Sequence, residues 1–373
     1  MTSITMTSGT TTAGLTVIEQ ILDAARWAPS GDNTQPWRFE VLGPRQLVVH
    51  GHDTREHCVY DLAGEASQLS LGALLESIDI AASMHGLSAD VTRRQDAAPA
   101  RPTFDISLRE RPGAPDPLAA YIRSRTVQRR ALSTRPLTHT DKLALEAAVG
   151  PGHRVLWFEG GAQRWQVARL MFRNAHLRLT MPEAYEVHRS VIEWGARHSV
   201  DRVPDQALGA DAVSLIMMRT AMKSWSRVQF ANRFLAGTWI PRLQMDLLPA
   251  LACAAHFVIV AKCAPEGTDD FVAAGRAVQR AWLTATALGL WQQPEMTPLI
   301  FARYARQGTR FTRIVKLQAR ASGLETRLRS LLGSDAESAV WMGRIGAGSA
   351  PTARSVRRPL AELVVSAGSD QNL

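Results

Sequence analysis

The sequence predicts a globular protein of mixed helices and short strands, with two related halves in one chain. Two observations predict this. Apolar residues follow helical spacing in some segments and strand-like alternation in others. In addition, an apolar helix-like segment with a glycine near its start and a Gly-Leu exit occurs twice, at residues 71–87 and 274–290. The repeat indicates two copies of one fold, although two such glycine-marked helices can also arise by chance.

The first half shows clear local patterns. A helix is predicted to end just before Ala28-Pro29, because proline disfavours helical geometry in the residue before it. A strand pair is predicted around the turn signal Gly43-Pro44, and a long apolar helix is predicted to end at Gly86, a typical C-terminal cap. In order, the predicted elements are the helix Val17–Trp27, the strands Trp37–Leu42 and Gln46–His50, the helix Leu69–His85 and the strand Phe104–Leu108.

The middle of the chain has no counterpart in the first half. Trp165–His198 and Ala212–Leu235 are predicted as long helical stretches rich in Met, Trp and Arg, and Pro249–Ala264 as a buried strand. Four residues of the second stretch either line a substrate pocket, to which methionine adapts well, or face an ordinary core. They are Met217, Met218, Met222 and Trp225.

Length and composition limit the class of protein. With 373 residues and 46% hydrophobic composition, the chain can bury a sizeable core, and its length suggests two or three domain-sized units. No uninterrupted apolar run reaches the roughly 18 to 20 residues of a membrane span. The Thr/Ser-rich start, Met1–Gly14, lacks a secretory pattern, so we expect a frayed tail and a cytoplasmic protein.

The cysteines and the net charge say less about the class of protein and its binding partners. Three cysteines without paired spacing indicate neither a disulfide framework nor a zinc site, and Cys253 and Cys263 are predicted to be small core residues. A formal charge of +9 would attract an anion, which could be nucleic acid, a membrane surface or a phosphorylated cofactor. Because no basic stripe with interleaved aromatics is evident, we expect a small-molecule partner, with no nucleic acid and no membrane.

The chemistry is not carried by a recognisable nucleophile or metal motif. The sequence contains no HExxH, GxSxG, Walker or GxGxxG pattern, and its histidines are scattered. A cofactor is therefore expected to supply the chemistry. We therefore assign no catalytic residue and no metal-binding residue from the sequence.

The segment "APSGDNTQPW", residues 28–37, is the most informative. Pro29 stops the preceding helix, and a turn of small residues leaves backbone N–H groups and the Ser30 and Asn33 side chains available to the polar edge of a flat ring. Trp37 is expected to anchor the loop in the core, and Gln35 to bind neighbouring backbone. The alternative is an ordinary turn in which Asp and Asn bond locally.

This segment resembles the signature of the nitroreductase family of flavin enzymes. The resemblance implies an α+β fold in which two subunits pair around FMN, with the Pro-Ser-x-x-Asn loop of one subunit facing arginines of the other. It assigns Pro29, Ser30, Gly31 and Asn33 to cofactor binding.

The arginines that the resemblance calls for lie downstream. In "SRTVQRRALSTRPL", Arg125 and Arg129 stand at the two arginine positions of the family's Arg-x-Ser-x-Arg segment, with Val127 where the family usually has Ser. The C-terminal "ARSVRRPLAELV" resembles the family's basic close. It places Arg354, Arg357 or Arg358 near the cofactor phosphate, and all three are candidates for cofactor binding.

The two halves carry complementary parts, so the chain resembles a fused, internally asymmetric nitroreductase dimer with one FMN, in outline like the tandem mycobacterial Acg-type group. The predicted divisions are a disordered tail at 1–14, a first nitroreductase-like half at 15–122, a second at 123–363 with a helical insertion at about 165–245, and a tail at 364–373. Central sheets flanked by helices are expected in this internal pseudo-dimer.

The resemblance implies an FMN-dependent oxidoreductase that works by ping-pong hydride transfer between a donor, NAD(P)H or an organic substrate, and a small organic acceptor or oxygen. The alternative is a protein that sequesters FMN with little or no turnover, its site covered by residues 165–235. The chain is expected as a monomeric pseudo-dimer or a homodimer.

Overall fold

The computed structural model describes residues 14–235 and 237–366. The N-terminal tail predicted for residues 1–14 lies almost wholly outside this part of the chain, and so does the stretch 367–373. The described chain contains long helices and two principal β-sheets. Among the described residues, no helix combines the length and the apolar character that crossing a bilayer requires.

The elements follow one another in this order. The helices are α1 (Val17–Ala25), α2 (Glu65–Ser83), α3 (His139–Ala148), α4 (Gly161–Leu179), α5 (Pro182–Val191), α6 (Ala212–Ala221), α7 (Trp225–Phe234), α8 (Trp239–Pro241), α9 (Leu248–Leu251), α10 (Thr268–Ala287), α11 (Thr297–Gln307), α12 (Val315–Leu332) and α13 (Leu360–Leu363). A π-helical turn, Arg242–Leu247, joins α8 to α9.

The strands are β1 (Trp37–Gly43), β2 (Gln46–Gly51), β3 (Leu87–Arg93), β4 (Thr103–Glu110), β5 (His153–Phe158), β6 (Ile192–Glu193), β7 (His198–Ser199), β8 (Val203–Pro204), β9 (Ala255–Ala261), β10 (Trp291–Pro294), β11 (Ala339–Gly346), β12 (Arg354–Ser355) and β13 (Val364–Val365). The fold is α+β, as predicted.

The first sheet is built mainly from the N-terminal third of the chain. Its order is β13-β1-β2-β4-β3, antiparallel except for the parallel pairing of β1 with β13. The pairing places Val364 beside Phe39, so the C-terminal segment returns to the first sheet. The tail predicted at 364–373 therefore begins with a strand, and that part of the prediction is wrong.

The second sheet belongs to the C-terminal half and is antiparallel throughout, in the order β10-β11-β9-β5. Its central strand β11 is buried along its whole length. Helices α4, α11 and α12 cover one core that includes Val258 and Val260 of β9. Helices α3 and α10 cover another core that includes Phe257 and Ile259, the alternate residues of the same strand.

The two repeated helices lie against each other. A Cβ added at Gly72 of α2 would lie 2.0 Å from the backbone oxygen of Val272, and one added at Gly275 of α10 would lie 2.1 Å from that of Leu69. The backbones therefore touch where only glycine fits. Beside this crossing, the Gln279 amide donates to the Ser77 hydroxyl at 2.9 Å, and Arg276 pairs with Glu76 at 2.8 Å.

Several predicted boundaries are wrong for physical reasons. The stretch Trp165–His198 is broken at Pro182, where α5 begins after the extended Met181. The stretch Pro249–Ala264 starts in the helix α9 and becomes a strand only at Ala255. Cys253 is buried as expected, but Cys263 is exposed.

The predicted insertion at about 165–245 is not a separate layer. Helix α4 supplies Val167, Leu170 and Met171 to the second-half core, whereas α6 and α7 are mostly exposed at the surface. Only the part around α6 and α7 has the character expected of an added cover.

Candidate functional site

A cavity of about 450 Å³ is lined by residues of both predicted halves, 15–122 and 123–363. Its walls come from the loop after α1, from α2, from the segment after Ile122, from α4–α6, and from α10 and the C-terminal segment. We call it the main cavity. Asn33 and Arg125 both line it, so residues far apart in sequence share one crevice, as the two-half hypothesis requires.

The loop that follows α1 has an unusual backbone. Helix α1 begins with a capping box between Thr16 and Glu19, and the chain leaves it through Ala28 and Pro29. Positive φ angles then occur at Asp32 (49°), Asn33 (66°) and Gln35 (51°). Residues other than glycine seldom adopt such angles, and they do so mainly where the surrounding structure holds them.

The loop is held by side-chain hydrogen bonds to distant backbone. The Asn33 amide donates to the Val356 oxygen at 3.1 Å and to the Arg202 oxygen at 3.2 Å. The Gln35 amide donates to the Val200 oxygen at 2.8 Å and accepts from the Arg358 backbone at 2.9 Å. The prediction that Gln35 binds backbone is therefore confirmed, and Trp37 is fully buried behind it.

The polar side chains of the loop are less free than predicted. The Ser30 hydroxyl accepts a hydrogen bond from the Gln35 backbone at 3.0 Å, and the nitrogen of the Asn33 amide is committed to carbonyl groups. Within the described part of the chain, Asn33 Oδ1 is buried without a partner. A Cβ built at Gly31 meets nothing within 4 Å, which leaves open space at the cavity wall.

Two downstream arginines donate hydrogen bonds to the backbone that follows α1. Arg357 donates to the Ala28 oxygen from Nε at 3.0 Å and from Nη2 at 2.9 Å, and its Nη1 bonds to the Val356 oxygen. Arg125 Nη2 donates to the Trp27 oxygen at 2.9 Å, and its guanidinium lies 4.7 Å from the ring centroid of Trp282. These contacts bind the downstream segments to the loop.

Three guanidinium atoms in the main cavity have no partner among the described residues. They are buried and belong to residues that line the cavity: Arg125 Nε, Arg344 Nη1 and Arg354 Nε. Burial, together with repulsion from Arg357 and Arg354, holds the pKa of Arg125 well below its usual range. A buried cationic cluster with unpaired donors favours an anionic ligand.

The predicted arginines divide into three groups. Arg125 and Arg354 line the cavity with free donors, whereas Arg357 lines it but spends its donors on carbonyl oxygens. Arg129 also lines it, and its Nη1 donates to the Ala207 oxygen at 3.2 Å. Arg358 does not line the cavity, and its side chain pairs with Asp201 at 2.9 Å; its position near the phosphate stays a prediction.

Sequence reasoning missed Arg344, which is 2% exposed and lies in the fully buried strand β11. Its Nη2 donates to the Arg129 oxygen at 2.7 Å and so supports the arginine segment. The available signal was a single arginine in the apolar run "AVWMGRIG", since an unpaired buried charge is rare without a function.

A buried polar cluster adjoins the same wall. His256 Nδ1 lies 2.7 Å from Glu295 Oε2, and His256 Nε2 lies 2.8 Å from the Ala250 oxygen. Burial lowers the pKa of His256, but Glu295 and Cys253 outweigh burial and raise that pKa to about 10. Glu295 itself lines the main cavity. A protonated His256 is therefore held next to Glu295 at the cavity wall.

The opposite wall comes from the middle of the chain. Met218 and Met222 of the predicted pocket set line the cavity, whereas Met217 is exposed. Arg178 of α4 pairs with the buried Asp246 of the π-helical turn at 2.8 Å. His188 of α5 lies 2.9 Å from the Tyr60 hydroxyl, and burial and Arg178 lower the pKa of His188 to about 3. The charged groups named on this wall, Arg178 and Asp246, neutralise each other.

Comparisons with known proteins agree with the motif. Residues 15–69 match the model of the nitroreductase family. Two Mycobacterium tuberculosis proteins, "Putative NAD(P)H nitroreductase MT3217" of strain CDC 1551 / Oshkosh and "Putative NAD(P)H nitroreductase Rv3131" of strain ATCC 25618 / H37Rv, are each 29% identical over 298 residues. Each match covers 77% of this chain and 78% of the relative.

Two solved structures were also matched. One is a Bacteroides fragilis NCTC 9343 nitroreductase with bound FMN, at 11% identity, a TM-score of 0.33 and coverage of 68% of this chain and 97% of that chain. The other is the FMN-dependent nitroreductase NfnB from Mycobacterium smegmatis in complex with NADPH, at 15% identity, a TM-score of 0.33 and coverage of 66% and 96%. Residues 15–69 are therefore similar to the nitroreductase family, and the similarity to the two relatives extends over 77% of this chain.

Proposed function

We propose that this chain is an FMN-dependent oxidoreductase with its flavin in the main cavity. The observation that carries the proposal is the meeting of the residue 29–33 loop with downstream arginines around one crevice. The family match at residues 15–69 supports it, as does the name NAD(P)H nitroreductase borne by both relatives.

The cavity fits such a cofactor in size and charge. Its volume of about 450 Å³ lies within the roughly 300–1,000 Å³ typical of small-molecule sites. The unpaired donors Arg125 Nε, Arg344 Nη1 and Arg354 Nε suit a phosphate, whose oxygens match guanidinium forks. The buried acceptor Asn33 Oδ1 suits an N–H group at the edge of a heteroaromatic ring.

The residues of the cavity would have distinct tasks. Arg125 and Arg354 would bind the phosphate, while Arg357 fixes the loop by holding the Ala28 carbonyl. Pro29–Asn33 would face the ring. Bound FMN would supply ping-pong hydride transfer between a donor, NAD(P)H or an organic substrate, and a small organic acceptor or oxygen. The guanidiniums would stabilise negative charge that develops in the cavity.

The internal pseudo-dimer is part of the proposal, with halves at 15–122 and 123–363. Its support is reciprocity at the helix crossing, since Gly72 approaches Val272 and Gly275 approaches Leu69. In each case the contacted residue lies three positions before the other glycine, as a two-fold relation between repeats would require. The cytoplasmic location stays a prediction, and so do the two alternatives for assembly, a monomeric pseudo-dimer or a homodimer.

A second function is FMN sequestration with little turnover. The observation that favours it is the wall that α4–α6 contribute, through residues such as Met171, His188 and Met222. Such a wall restricts the entry of a second substrate. A sequestering protein should hold FMN tightly and react slowly with both NAD(P)H and dithionite.

Absorbance between about 350 and 500 nm tests the proposal. The purified chain should carry non-covalent FMN that NAD(P)H bleaches anaerobically. Arg354→Gln should weaken FMN binding by roughly tenfold or more, because a charge-assisted hydrogen bond is lost. The matched control is Arg358→Gln, which removes a nearby charge outside the cavity wall and should change the affinity less than about threefold. A colourless chain that ignores added FMN would contradict both functions.

A further inference from the structure

A second cavity, of about 350 Å³, lies on α4, α12 and the π-helical turn. We call it the arginine cavity. Four guanidinium side chains line it together with one imidazole and two leucines. The charged residues and the imidazole are Arg173, His176, Arg242, Arg320 and Arg327. No residue of the main cavity is among them.

No carboxylate within the described part of the chain pairs directly with an arginine of the arginine cavity, although the buried Asp246 partly offsets the charge of Arg242. Neither Arg173, Arg242, Arg320 nor Arg327 has a carboxylate partner among the described residues, although Arg327 Nη1 donates to the Gly323 oxygen and Arg242 Nε to the Phe172 oxygen. Arg329, on the same helix as Arg327, is different, since it pairs with Glu325 and Glu337 at 3.0 Å each. The lack of acids is therefore specific to the cavity side of α12.

The cluster repels positive charge within itself. Burial, followed by the charges of Arg320 and Arg242, lowers the pKa of His176 to about 4. Burial, followed by Arg327 and Arg169, lowers the pKa of Arg173. His176 Nδ1 is buried and has no partner among the described residues. At neutral pH the cavity thus presents four cations and a neutral imidazole with an open nitrogen.

We propose that the arginine cavity binds the diphosphate group of a small-molecule ligand. Guanidinium forks match phosphate oxygens in pairs, and one phosphate carries too little charge for four unpaired arginines. A diphosphate carries enough to offset most of them. The four arginines line one open depression of about 350 Å³ and do not form an extended stripe, which favours a small ligand over a nucleic acid strand.

The arginine cavity and the main cavity lie on two sides of the same elements. Helix α4 separates the two, with His176 facing the arginine cavity and Arg178 facing the main one. The π-helical turn is shared in the same way, because Arg242 lines the arginine cavity while Asp246, the partner of Arg178, lines the main cavity. The diphosphate site itself does not depend on the proposed redox function.

Calorimetric titration of inorganic pyrophosphate into the full chain, saturated with FMN and at low ionic strength, tests the proposal. We expect saturable binding that weakens about tenfold or more in Arg320→Gln and in Arg327→Gln. Both side chains are exposed, so these variants should fold. Arg329→Gln is the matched control, with the same loss of charge on the same helix, and should stay within about twofold. Arg354→Gln, in the main cavity, should also leave the affinity unchanged.

Four outcomes would overturn the proposal. They are no saturable binding by the native chain, equal weakening in Arg329→Gln, loss of binding in Arg354→Gln but not in Arg320→Gln, and inorganic phosphate binding as tightly as pyrophosphate. A short oligonucleotide that binds more tightly than pyrophosphate, and is lost in the same variants, would identify a nucleic acid site instead. Since FMN binding is read separately from its own absorbance, failure here leaves the redox proposal standing.

Discussion

The positive φ angle at Gln35 is stabilised by the contacts of its own side chain. The amide bonds to the Asn33, Val200 and Arg358 backbones, and these bonds hold the angle of 51° against a cost of order 1–3 kcal/mol. The hydrogen bonds thus offset the backbone strain, and they fix the loop to two distant segments. Such preorganisation would present Pro29–Asn33 to a flavin without ordering the loop on binding.

Two substitutions at Gln35 separate backbone strain from side-chain bonding. Gln35→Ala removes the hydrogen bonds and keeps the strain, so we expect a loss of roughly 2–4 kcal/mol in the free energy of unfolding. Gln35→Gly removes the same bonds but adopts positive φ freely, and should be about 1 kcal/mol more stable than Gln35→Ala. Urea unfolding of the three proteins measures this. Equal stability of the two variants would show that the backbone is unstrained.

His256 and Glu295 form a buried pair whose effect on stability depends on pH. Because the folded pKa of His256 is about 10 and the unfolded value about 6.5, the folded state retains a proton that the unfolded state loses. The pair's contribution is fully present below about pH 6.5 and declines as pH rises towards 10, by about 1.4 kcal/mol per pH unit.

The pH dependence is measured as a difference between the native chain and His256→Asn. Urea unfolding from pH 6 to 10 should show the native chain's advantage shrinking as pH rises. Breaking a buried pair costs roughly 3–5 kcal/mol, so the variant should be clearly less stable at pH 6. Glu295→Gln, which removes the partner that raises the pKa, should abolish the same pH dependence. An advantage that grows with pH would contradict the assignment.

At the residue scale, the sequence indicated which loop residues would matter, but it did not indicate which groups the arginine side chains would bind. Pro29, Ser30 and Asn33 were singled out because they match the nitroreductase signature, and because a helix stop and small polar residues have local signatures. Arg357 was predicted to bind phosphate but holds the Ala28 carbonyl, because which acceptor an arginine meets depends on tertiary packing. Arg344 and the His256–Glu295 pair were missed for the same reason.

At the scale of elements, the crossing of α2 and α10 is set by two glycines. Their backbones approach so closely that a Cβ at either position would overlap the other helix's carbonyl oxygen, at 2.0 and 2.1 Å. The sequence showed the glycines as a repeat, but it could not show that the two copies face each other. Contact between the copies follows from tertiary assembly, which the local pattern does not encode.

Gly72→Ala tests how tightly this crossing is packed. The clash is with backbone atoms, which no side-chain rotamer relieves, so we expect a loss of roughly 3 kcal/mol or more in the free energy of unfolding. Gly323→Ala in α12 is the matched control, because its new Cβ meets only the flexible end of Arg327 and alanine favours helix by about 1 kcal/mol. Thermal unfolding of both variants decides the point, and equal effects would rule out a tight crossing.

The boundaries of the elements show where local signals compete. Helix α1 was predicted to begin at Val17, as observed, and to end at Trp27, two residues beyond its observed end at Ala25, because its apolar spacing and Pro29 are local signals. Pro182 is a signal for a helix break, but the apolar spacing around it favoured one continuous helix in the prediction. Strand β3 was missed, since Leu87–Arg93 alternates only weakly and gains its stability from pairing with β4.

At the scale of the whole molecule, the proposed pseudo-dimer is asymmetric about its repeated helices. The loop at residues 29–33 belongs to the first half, and the arginine segment at residues 125–129 to the second. The C-terminal segment then crosses back, with Arg357 on the loop and β13 on the first sheet. These links make the halves dependent on each other, so that neither is expected to assemble a site alone.

This asymmetry predicts one flavin per chain, whereas a symmetric pair of sites would bind two. Titration of the flavin-free chain with FMN, followed by absorbance or by quenching of flavin fluorescence, should saturate at a single equivalent. Asn33→Ala, which removes the buried acceptor and the bonds to Val356 and Arg202, should abolish most of the binding, since no second loop is available to compensate. Binding of two equivalents of FMN, or of one equivalent with unchanged affinity in Asn33→Ala, would place a flavin outside the main cavity. Either result would contradict a single site shared by the two proposed halves.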